Sequence, residues 1–510
     1  MKMQMALSLT FFATMSILLP CVVESSLSSG GDINWWCNQT PNPEPCKYYM
    51  SHSSEHGKIL SRKQFLAMAE QTALDRVTSE LGLIKSLEPK LLNNAERSAW
   101  SQCLQFYHLT TNALAKILDV NRKSTAADIQ IWLSGASTSI RTCHDGFFDV
   151  KLTTNIYPLV VSNNVTQLIT NCMAVNKVIF DEEKAINQPE FYKSFPANKS
   201  VSKNADCVVA QDGSGDYKTI SEALQASVSK RQDVNQRYVI QVNAGTYAEY
   251  PNVTDQMKNI MLVGGGMDNT IVTGNAKGSV LIDSATFKIY GEGFVAQGIT
   301  FENTAGASAG QALALFSQSD QSAFYQCRFK GYQDTLLASL NRQFYRECEI
   351  YGTIDYIFGN AAVVFQKCVI YAGVVTTAQG RASSNDPTGT VIQNCQIVSG
   401  PELPAGPTPA YLGRPWFDYS TVVIMQSFID SVVNPAGWLE WPGAAPGRYS
   451  TLFYAEFNNN GPGSGTGGRV NWPGYHVLTD ASQVQQYSVA NFISGNSWLP
   501  ATGVPFDSGI

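Results

Sequence analysis

Hydrophobic positions follow two different patterns along this chain of 510 residues. From about residue 61 to residue 176 they recur with a period of about 3.6, for example over residues 100–118 and 126–143, which predicts amphipathic helices. Glycine and proline are scarce inside these stretches. Helices that follow one another in this way pack most simply as a four-helix bundle. We therefore expect an all-α domain over residues 33–186.

The helical pattern stops beyond this region. Residues 187–205 are polar and show no periodicity, which is typical of a linker. From residue 206 onward, short runs of β-forming residues alternate with glycine and asparagine, and one helical stripe remains near residues 220–227. A chain of this length is expected to form more than one domain. We expect the second to be all-β and to span residues 206–510.

An internal repeat narrows the architecture of the second domain. The pattern apolar-x-x-Cys/Ser-x-apolar occurs five times, centred on Cys327, Cys348, Cys368, Cys395 and Ser427. The repeat starts at about 20 residues and lengthens in its later units, as a β-solenoid does when only its loops grow. An antiparallel sandwich would also supply short strands, but it would not bring a cysteine to the same phase in four successive units. We therefore predict a parallel β-helix.

Stacking of the repeats leaves two states open for these cysteines. Neighbouring coils bring Cys327 near Cys348 and Cys368 near Cys395, which makes these the simplest disulfide pairings. The same side chains could equally form a reduced ladder in the core.

The N-terminus carries the features of a signal peptide. Lys2 precedes a mostly apolar stretch over residues 6–19, and small residues follow near Ser25. This order predicts a signal peptide over residues 1–25. The alternative is a membrane anchor, for which the apolar stretch is short.

Composition agrees with secretion. The chain has eleven cysteines and sequons at Asn38, Asn164, Asn198 and Asn252, which suit an oxidising and glycosylating compartment. The net charge of −6 and the lack of a basic run argue against a nucleic-acid partner.

The repeat also predicts where two carboxylates lie. Asp334 follows Cys327 at the same spacing at which Asp355 follows Cys348. If the coils are in register, the two side chains are neighbours about 4.8 Å apart along the stacking direction. Two carboxylates that close do not both ionise readily, and the resulting pair suits acid–base or nucleophilic chemistry. The alternative is a polar ladder that caps surface turns.

Four further residues favour the catalytic interpretation. The amides of Gln311 and Gln333 can stabilise an oxyanion. Arg414 can orient a carboxylate and keep it ionised. Trp416 offers a flat face to a sugar ring.

Six sequence blocks and the C-terminal tail resemble the signatures of plant pectin methylesterases. The blocks are GITFENTAG (298–306), QALAL (311–315), GYQDT (331–335), GTIDYIFGN (352–360), TAQGR (377–381) and YLGRPW (411–416), and the tail runs over residues 461–503. The resemblance implies a right-handed parallel β-helix over residues 206–510. It also implies hydrolysis of the methyl esters of galacturonate units in cell-wall pectin, which releases methanol and pectate without a metal or cofactor.

The same resemblance implies a role for each site residue. Asp355 would be the nucleophile, Asp334 the general acid and then the general base, and Gln311 and Gln333 the oxyanion donors. Arg414 would orient Asp355. The residues in contact with the substrate would be Gln311, Phe358, Arg414 and Trp416.

The first half is similar to the pectin methylesterase inhibitor family. That resemblance implies one disulfide between Cys37 and Cys46, a second between Cys103 and Cys143, and a leftover thiol at Cys172. It implies an autoinhibitory or chaperoning role for residues 33–186. A separate inhibitor protein is a further expected partner. We expect the protein to be secreted to the cell wall, with no nucleic-acid partner and no membrane contact after the signal peptide is removed.

Several features differ from the family or point elsewhere. No basic processing tetrapeptide lies in the linker, and Phe316, Phe417 and Thr421 stand where relatives commonly carry basic residues, which predicts weaker binding of demethylated pectin. Residues 306–310 match the Gly-x-Ser-x-Gly elbow of serine esterases, but no helical stripe follows them, so we expect a loop.

Two rival functions remain for the second half. One is cleavage of the polygalacturonan chain, which would need a different set of carboxylates. The other is a binding protein with an inactive β-helix, which the retention of all five catalytic residue types argues against.

Overall fold

A computed structural model gives the fold of the protein. It describes residues 31–51, 59, 61–88, 91, 93–149, 163–186, 194–195, 205–278, 280–400, 409–445 and 447–510. The predicted signal peptide, most of the predicted linker and the sequon at Asn198 lie outside the described residues.

The described part of the first half contains six helices. They are α1 (Ile33–Cys37), α2 (Pro43–Met50), α3 (Arg62–Ser86), α4 (Asn94–Leu118), α5 (Ala126–Asp149) and α6 (Val165–Ile186). The side chain of Ser61 caps α3, and that of Asn93 caps α4, by accepting a backbone N–H of the first turn. Helices α3 to α6 pack on one another as the predicted four-helix bundle.

Two disulfides lie in this domain, in the pairing that the family resemblance implied. Cys37 is bonded to Cys46 and ties α1 to α2, and Cys103 is bonded to Cys143 and ties α4 to α5. Cys172 on α6 is a buried free thiol, as expected.

The second domain is a right-handed parallel β-helix, as predicted. Each full coil contributes one strand to each of three parallel sheets, which we call sheets I, II and III in the order in which the chain enters them. Sheet I consists of β2 (Cys207–Val209), β3 (Tyr238–Val242), β6 (Ile260–Gly264), β9 (Val295–Gln297), β12 (Ser322–Tyr325), β15 (Arg342–Arg346), β18 (Ala362–Gln366), β21 (Gly389–Gln393), β24 (Thr421–Met425), β26 (Phe453–Phe457) and β27 (Tyr475–Leu478). Sheet II consists of β4 (Gly245–Ala248), β7 (Thr270–Gly274), β10 (Thr300–Asn303), β13 (Arg328–Lys330), β16 (Glu349–Tyr351), β19 (Val369–Ala372), β22 (Gln396–Ser399) and β25 (Phe428–Ile429). Sheet III consists of β5 (Asn252–Val253), β8 (Phe287–Ile289), β11 (Leu315–Ser317), β14 (Leu336–Ala338), β17 (Ile354–Gly359), β20 (Val375–Gln379) and β23 (Tyr411–Pro415).

Short helices and one further strand pair complete the described part of this domain. The helices are α7 (Ile220–Lys230), at the predicted helical stripe, α8 (Arg448–Thr451), α9 (Ala481–Val484), α10 (Val489–Phe492) and α11 (Gly495–Trp498). The strand β1 (Ser194–Phe195) pairs antiparallel with β28 (Phe506–Asp507). Part of the predicted linker is therefore a strand that pairs with the C-terminal end of the second domain.

The repeated cysteines stack as the sequence pattern predicts. Tyr325, Arg346, Gln366, Gln393 and Met425 are aligned across sheet I, and each lies two residues before a repeat position. The four cysteines of the repeat are buried and free. Of the two alternatives that the sequence left open, the structure has the reduced ladder.

Aromatic residues fill the interior beside this ladder. The rings of Phe324 and Tyr345 stack with their centroids 4.6 Å apart, and those of Tyr345 and Phe365 follow at 4.7 Å. In a solenoid, each side chain contacts the equivalent side chain of the coils above and below it, so residues of the same type stack on one another.

Candidate active site

Asp334 and Asp355 occupy equivalent corners of neighbouring coils. Leu336 pairs with Ile357 in the β14–β17 ladder, and each aspartate lies two residues before its member of that pair. Both corners have left-handed backbone, with φ of 63° at Asp334 and 51° at Asp355. The same corner geometry on both coils sends the two carboxylates in the same direction.

Arg414 reaches Asp355 from two coils further along the solenoid. The register of sheet III aligns Arg414 with Ala378 and Phe358. Its Nε lies 2.9 Å from Asp355 Oδ1, and its Nη2 lies 2.6 Å from Asp355 Oδ2. Its guanidinium carbon also lies 4.5 Å from the centre of the Trp441 ring. The arginine is therefore held on its edge by the carboxylate and on its face by an indole.

The two carboxyl groups differ in charge state. Burial and then the negative charge of Asp355 raise the pKa of Asp334 to about 8, although a hydrogen bond from Gln311 and the charge of Arg414 lower it. Burial also raises the pKa of Asp355, but the hydrogen bonds and charge of Arg414 oppose this shift. Near neutral pH the raised pKa of Asp334 favours its protonated form, and the bonds from Arg414 favour the ionised form of Asp355.

Both predicted oxyanion donors lie at the same edge. Gln311 and Gln333 form an isolated parallel bridge between neighbouring coils. Gln311 is exposed and Gln333 is partly exposed. Neutral amides next to the carboxyl pair can donate hydrogen bonds to a developing negative charge without taking up a proton themselves.

An aromatic wall borders the cavity next to these groups. The ring centroids of Phe358 and Trp416 are 6.0 Å apart, and those of Trp416 and Phe417 are 5.1 Å apart. They line a cavity of about 350 Å³ together with Gln311 and Leu337. Flat apolar faces beside polar groups suit a carbohydrate chain.

Two of the three positions for which the family resemblance implied basic residues are not among the residues that line this cavity. Phe316 is fully buried and its ring packs against Tyr290 with the centroids 5.4 Å apart. Thr421 is also buried, and its hydroxyl accepts a hydrogen bond from Arg381. Only Phe417 lines the cavity. That these positions weaken the binding of demethylated pectin stays a prediction.

Two alternative chemistries find no support in the described residues. The Gly-x-Ser-x-Gly match forms a short 3-10 turn over Ala307–Ala309 that leads into no helix, so it is not a nucleophile elbow. Across the part of the chain that the structure describes, no group of three or more histidine, cysteine or acidic side chains is arranged to hold a metal ion.

Comparison with known proteins identifies the family. The family profile described as Pectinesterase matches residues 206–496, which is more than half of the chain. The chain belongs to the pectinesterase family. Pectinesterases are carboxylic ester hydrolases that remove methyl esters from pectin. A second profile, described as Plant invertase/pectin methylesterase inhibitor, matches residues 31–175.

Relatives of this pectinesterase share both halves. Pectinesterase 2 of Citrus sinensis is 43% identical over 524 residues, which cover 99% of this chain and 100% of that protein. Probable pectinesterase/pectinesterase inhibitor 17 of Arabidopsis thaliana is 42% identical over 515 residues, which cover 97% of this chain and 98% of that protein.

Solved structures are similar to the catalytic half. A pectin methylesterase from carrot is 47% identical, with a TM-score of 0.58, and the match covers 61% of this chain and 99% of that one. A pectin methylesterase from Aspergillus niger is 30% identical, with a TM-score of 0.50, and the match covers 60% of this chain and 98% of that one.

The inhibitor-like domain of this pectinesterase lies over the cavity, which the sequence did not predict. Asn360 donates a hydrogen bond to Thr138 Oγ1 of α5 at 2.9 Å. Arg141 Nη2 lies 3.4 Å from the carbonyl oxygen of Gly380, and its guanidinium carbon lies 4.7 Å from the centre of the Phe417 ring. Helix α5 therefore closes the side of the cavity that faces the aromatic wall.

Trp441 is a further residue of the site that sequence reasoning missed. It lies between β25 and α8 and was not part of any predicted site, although its ring contacts Arg414 closely. The signal that could have found it is its position within a short aromatic-rich segment, WLEW (438–441), that follows the Arg-Pro-Trp block.

Proposed function

We propose that the chain hydrolyses the methyl esters of galacturonate units in homogalacturonan with Asp355 as the nucleophile. The observation that carries this proposal is the pair of stacked carboxyls, of which Arg414 binds only Asp355. In the first step an oxygen of ionised Asp355 attacks the ester carbonyl carbon, and the carbonyl oxygen takes up the negative charge. The amides of Gln311 and Gln333 donate hydrogen bonds to that oxygen.

Collapse of this tetrahedral intermediate breaks the bond to the methoxy oxygen. Protonated Asp334 transfers its proton to that oxygen, so that methanol leaves and an anhydride joins Asp355 to the sugar. Asp334, now ionised, takes a proton from water as the water attacks the sugar carbonyl carbon. The products are a galacturonate carboxylate, regenerated Asp355 and reprotonated Asp334.

Esters with two different leaving groups, methoxide and nitrophenolate, distinguish the proposed nucleophile Asp355 from the proposed general acid Asp334. Asp355→Asn should lower methanol release from esterified pectin by a factor of 10³ or more, because an amide cannot form the anhydride. Asp334→Asn should be similarly impaired, because methoxide needs a proton in order to leave. With a nitrophenyl ester of an oligogalacturonide, whose leaving group needs no proton, Asp334→Asn should still release one equivalent of nitrophenol in a burst, and Asp355→Asn should not.

Surface variant Asp233→Asn serves as the control for folding and should keep full activity. If Asp355→Asn releases methanol within tenfold of the wild type, a barrier change of only about 1.4 kcal/mol, then Asp355 is not the nucleophile. Unchanged viscosity of the pectin during methanol release would separate this reaction from cleavage of the chain.

The position of α5 favours a second function, inhibition of the catalytic domain by its own N-terminal domain. Arg141 lies on Phe417 and next to Trp416, where the sugar chain would stack. A substrate polymer and α5 cannot both occupy that side of the cavity. We expect the intact chain to release methanol slowly and to become active when the helical domain leaves.

Cleavage between the domains tests the inhibition. A protease site placed within residues 187–193 would leave β1 with the catalytic part. Methanol release should rise at least tenfold after cleavage and removal of the helical fragment. Equal activity of the intact chain and the separated catalytic domain would show that the helical domain does not inhibit.

The proposed place of action is the plant cell wall, after secretion through a signal peptide over residues 1–25. No helix in the described part of the chain has the length and apolar character that crossing a bilayer requires. Asn38 and Asn252 are exposed, as glycan acceptors must be in a folded protein. Recovery of the protein from the wall fraction, with its N-terminus near residue 26 and glycan at these two sites, would support this location. Retention of residues 1–25 on a membrane-bound protein would exclude it.

A separate inhibitor protein is the proposed partner of the uncovered catalytic domain. Such a protein would meet the surface that α5 covers in the intact chain. Titration of the separated catalytic domain with a purified inhibitor should lower its activity, and the intact chain should bind the inhibitor less tightly. Equal binding to both forms would show that the partner uses another surface.

A further inference from the structure

Four catalytic-domain residues lie against α5, and their side chains take no part in the proposed chemistry. We call them the rim socket, defined as Asp320, Asn341, Arg342 and Asp386; Asp320, Asn341 and Asp386 lie in turns that leave sheet III, and Arg342 begins β15 of sheet I. Three hydrogen bonds cross from it to α5. Trp132 Nε1 donates to Asp320 Oδ2 at 2.8 Å, Ser134 Oγ donates to Asp386 Oδ1 at 2.9 Å, and Arg342 Nη1 donates to Asp128 Oδ1 at 2.7 Å.

The socket is organised by the catalytic domain itself. Arg342 Nε and Nη2 bind the two carboxylate oxygens of Asp320 at 3.0 and 2.8 Å. Both side chains are almost fully buried, with 2% of Arg342 and 4% of Asp320 exposed. This bidentate pair leaves Nη1 of the arginine free for the carboxylate of α5. The socket therefore presents one donor, on Arg342, and two acceptors, on Asp320 and Asp386.

Gly135 allows α5 to approach this closely. A Cβ atom built on Gly135 would lie 2.9 Å from Oδ1 of Asn341, and the three heavy atoms nearest to it all belong to Asn341. Nδ2 of Asn341 is in turn held by the carbonyl oxygen of Gln318 at 2.8 Å. A side chain at position 135 would therefore meet Asn341 and push the helix away from the socket.

The spacing of contacts along α5 matches the spacing of the coils. Trp132 contacts the turn after β11 and Arg141 contacts the turn after β20, which is three coils further on. Nine residues of helix rise by about 13.5 Å. Three coil steps cover about 14 Å. The helix rise between Trp132 and Arg141 thus matches the distance between the coils that they contact, while Ser134 already contacts Asp386 of the turn after β20.

Charges around the socket are complementary across the two domains. Lys116 Nζ lies 3.0 Å and Arg122 Nη2 lies 3.1 Å from the carboxylate oxygens of Glu292. Lys116 Nζ also lies 3.8 Å from the centre of the Trp132 ring. Basic residues of the helical domain therefore flank the indole that enters the socket.

We propose that the rim socket is a helix-recognition site, separate from the groups that act on the ester, and that its occupant is α5 of the same chain. It recognises the pattern Asp-x-x-x-Trp-x-Ser-Gly over residues 128–135. The proposal rests on the inhibition proposed above and gives it a cause, because docking at the socket brings Arg141 onto Phe417. Inhibition and catalysis are then separable by substitution on the helical domain alone.

Gly135→Leu tests the recognition. In the intact chain this variant should release methanol at least tenfold faster than the wild type, because α5 no longer seats. Gly82→Leu is the matched control. Gly82 is an exposed residue of α3, and no atom lies within 4 Å of a Cβ built on it, so this variant should remain as inhibited as the wild type. After the linker is cut and the helical fragment removed, all three catalytic domains should have equal activity.

Association of the cut fragments is a second readout that does not depend on activity. The wild-type and Gly82→Leu fragments should elute together in gel filtration at low salt, and the Gly135→Leu fragments should elute apart. If Gly135→Leu fragments stay together and the intact variant stays inhibited, the socket does not recognise α5. If fragments of Gly135→Leu separate while the intact wild type is already fully active, the socket is correct and the proposed inhibition is wrong.

A smaller substitution combined with a compensating one tests the same contact in case the leucine variant does not fold. Gly135→Ala should weaken association of the fragments about tenfold. Asn341→Gly, at a position whose φ of 63° suits glycine, removes the side chain that the new methyl group meets and should restore association. Failure of Asn341→Gly to restore any association in the Gly135→Ala background would overturn the proposed contact.

Discussion

The guanidinium of Arg414 binds both carboxylate oxygens of Asp355 across a distance of two solenoid coils. The bonds of 2.9 and 2.6 Å form from Nε and Nη2, so the arginine presents its edge to the carboxylate. Only arginine has two parallel donors with this geometry. Asp355, the proposed nucleophile, is thereby oriented by a side chain that is itself held against Trp441.

Arg414→Lys should therefore change the pH dependence as well as the rate. We expect kcat/KM to fall about 100-fold, because lysine offers a single donor point. Burial raises the pKa of Asp355 and Arg414 opposes that shift, so the acid limb of the kcat/KM profile should move to higher pH in the variant. Methanol release measured between pH 4 and 8 checks both effects. An acid limb unchanged from the wild type would show that Arg414 does not control the ionisation of Asp355.

The alkaline limb should report Asp334. Its pKa is raised to about 8 by burial and by the charge of Asp355, and in the proposed mechanism it acts first as an acid. Activity on methyl esters should therefore fall as pH rises through about 8, because Asp334 then lacks the proton that methanol needs. The rate of acylation by a nitrophenyl ester, measured from the burst of nitrophenol, should not fall over the same pH range, because this leaving group needs no proton. If the alkaline limb has the same apparent pKa with both esters, the limb reports the ionisation of a group other than Asp334.

Trp416 should contribute mainly to binding of the sugar chain. Its ring borders the cavity beside Phe358 and makes no hydrogen bond to the carboxyl pair among the contacts of the described residues. In the separated catalytic domain, Trp416→Ala should raise KM for esterified oligogalacturonides about tenfold and lower kcat much less. Phe428→Ala, a partly exposed aromatic on sheet II, is the control and should leave both constants unchanged. A loss confined to kcat would contradict a binding role.

A buried carboxyl should make the helical bundle less stable at high pH. Burial raises the pKa of Glu70 from 4.5 to about 8, so the group is neutral in the fold and ionises on unfolding. Stability that is complete below about pH 4.5 is then lost as pH rises towards 8, by at most about 1.4 kcal/mol per pH unit. Thermal unfolding of Glu70→Gln should show a smaller loss between pH 5 and 8 than the wild type. Exposed Glu88→Gln should behave as the wild type, and an equal loss in all three proteins would exclude Glu70 as the cause.

The thiol ladder makes a prediction about redox state. Six buried cysteines in the described residues are free, four of them in the ladder and the others at positions 172 and 207. We expect an alkylating reagent to label none of them in the folded protein and all six after unfolding without a reductant. Mass spectrometry of the peptides reads the result. A peptide pair joined through Cys327 and Cys348, or through Cys368 and Cys395, would instead support the disulfide alternative.

Much of the catalytic domain was predictable because a solenoid is a local structure. Each coil repeats the same pattern, so the phase of Cys327 and Cys348 carries over to Asp334 and Asp355 without knowledge of distant contacts. The bundle was predictable for a similar reason, since helical periodicity identifies each buried face separately. Roles for Gln311, Gln333 and Arg414 came from the family resemblance and remain proposals.

Other features depend on atoms that no local pattern brings together. Neighbouring coils place the ladder cysteines at a spacing that suits both a thiol pair and a disulfide, so the sequence left their state open, and only the packed coordinates have them as thiols. Phe316 and Thr421 are buried, which the sequence did not show. The sequence by itself thus determined the two domains, the coil register and the carboxyl pair, because each follows from short-range periodicity. Only the tertiary structure decided that α5 covers the cavity, because that contact joins surfaces as far apart as Ser134 and Asp386, 252 residues along the chain, and depends on shape and charge that neither surface shows alone.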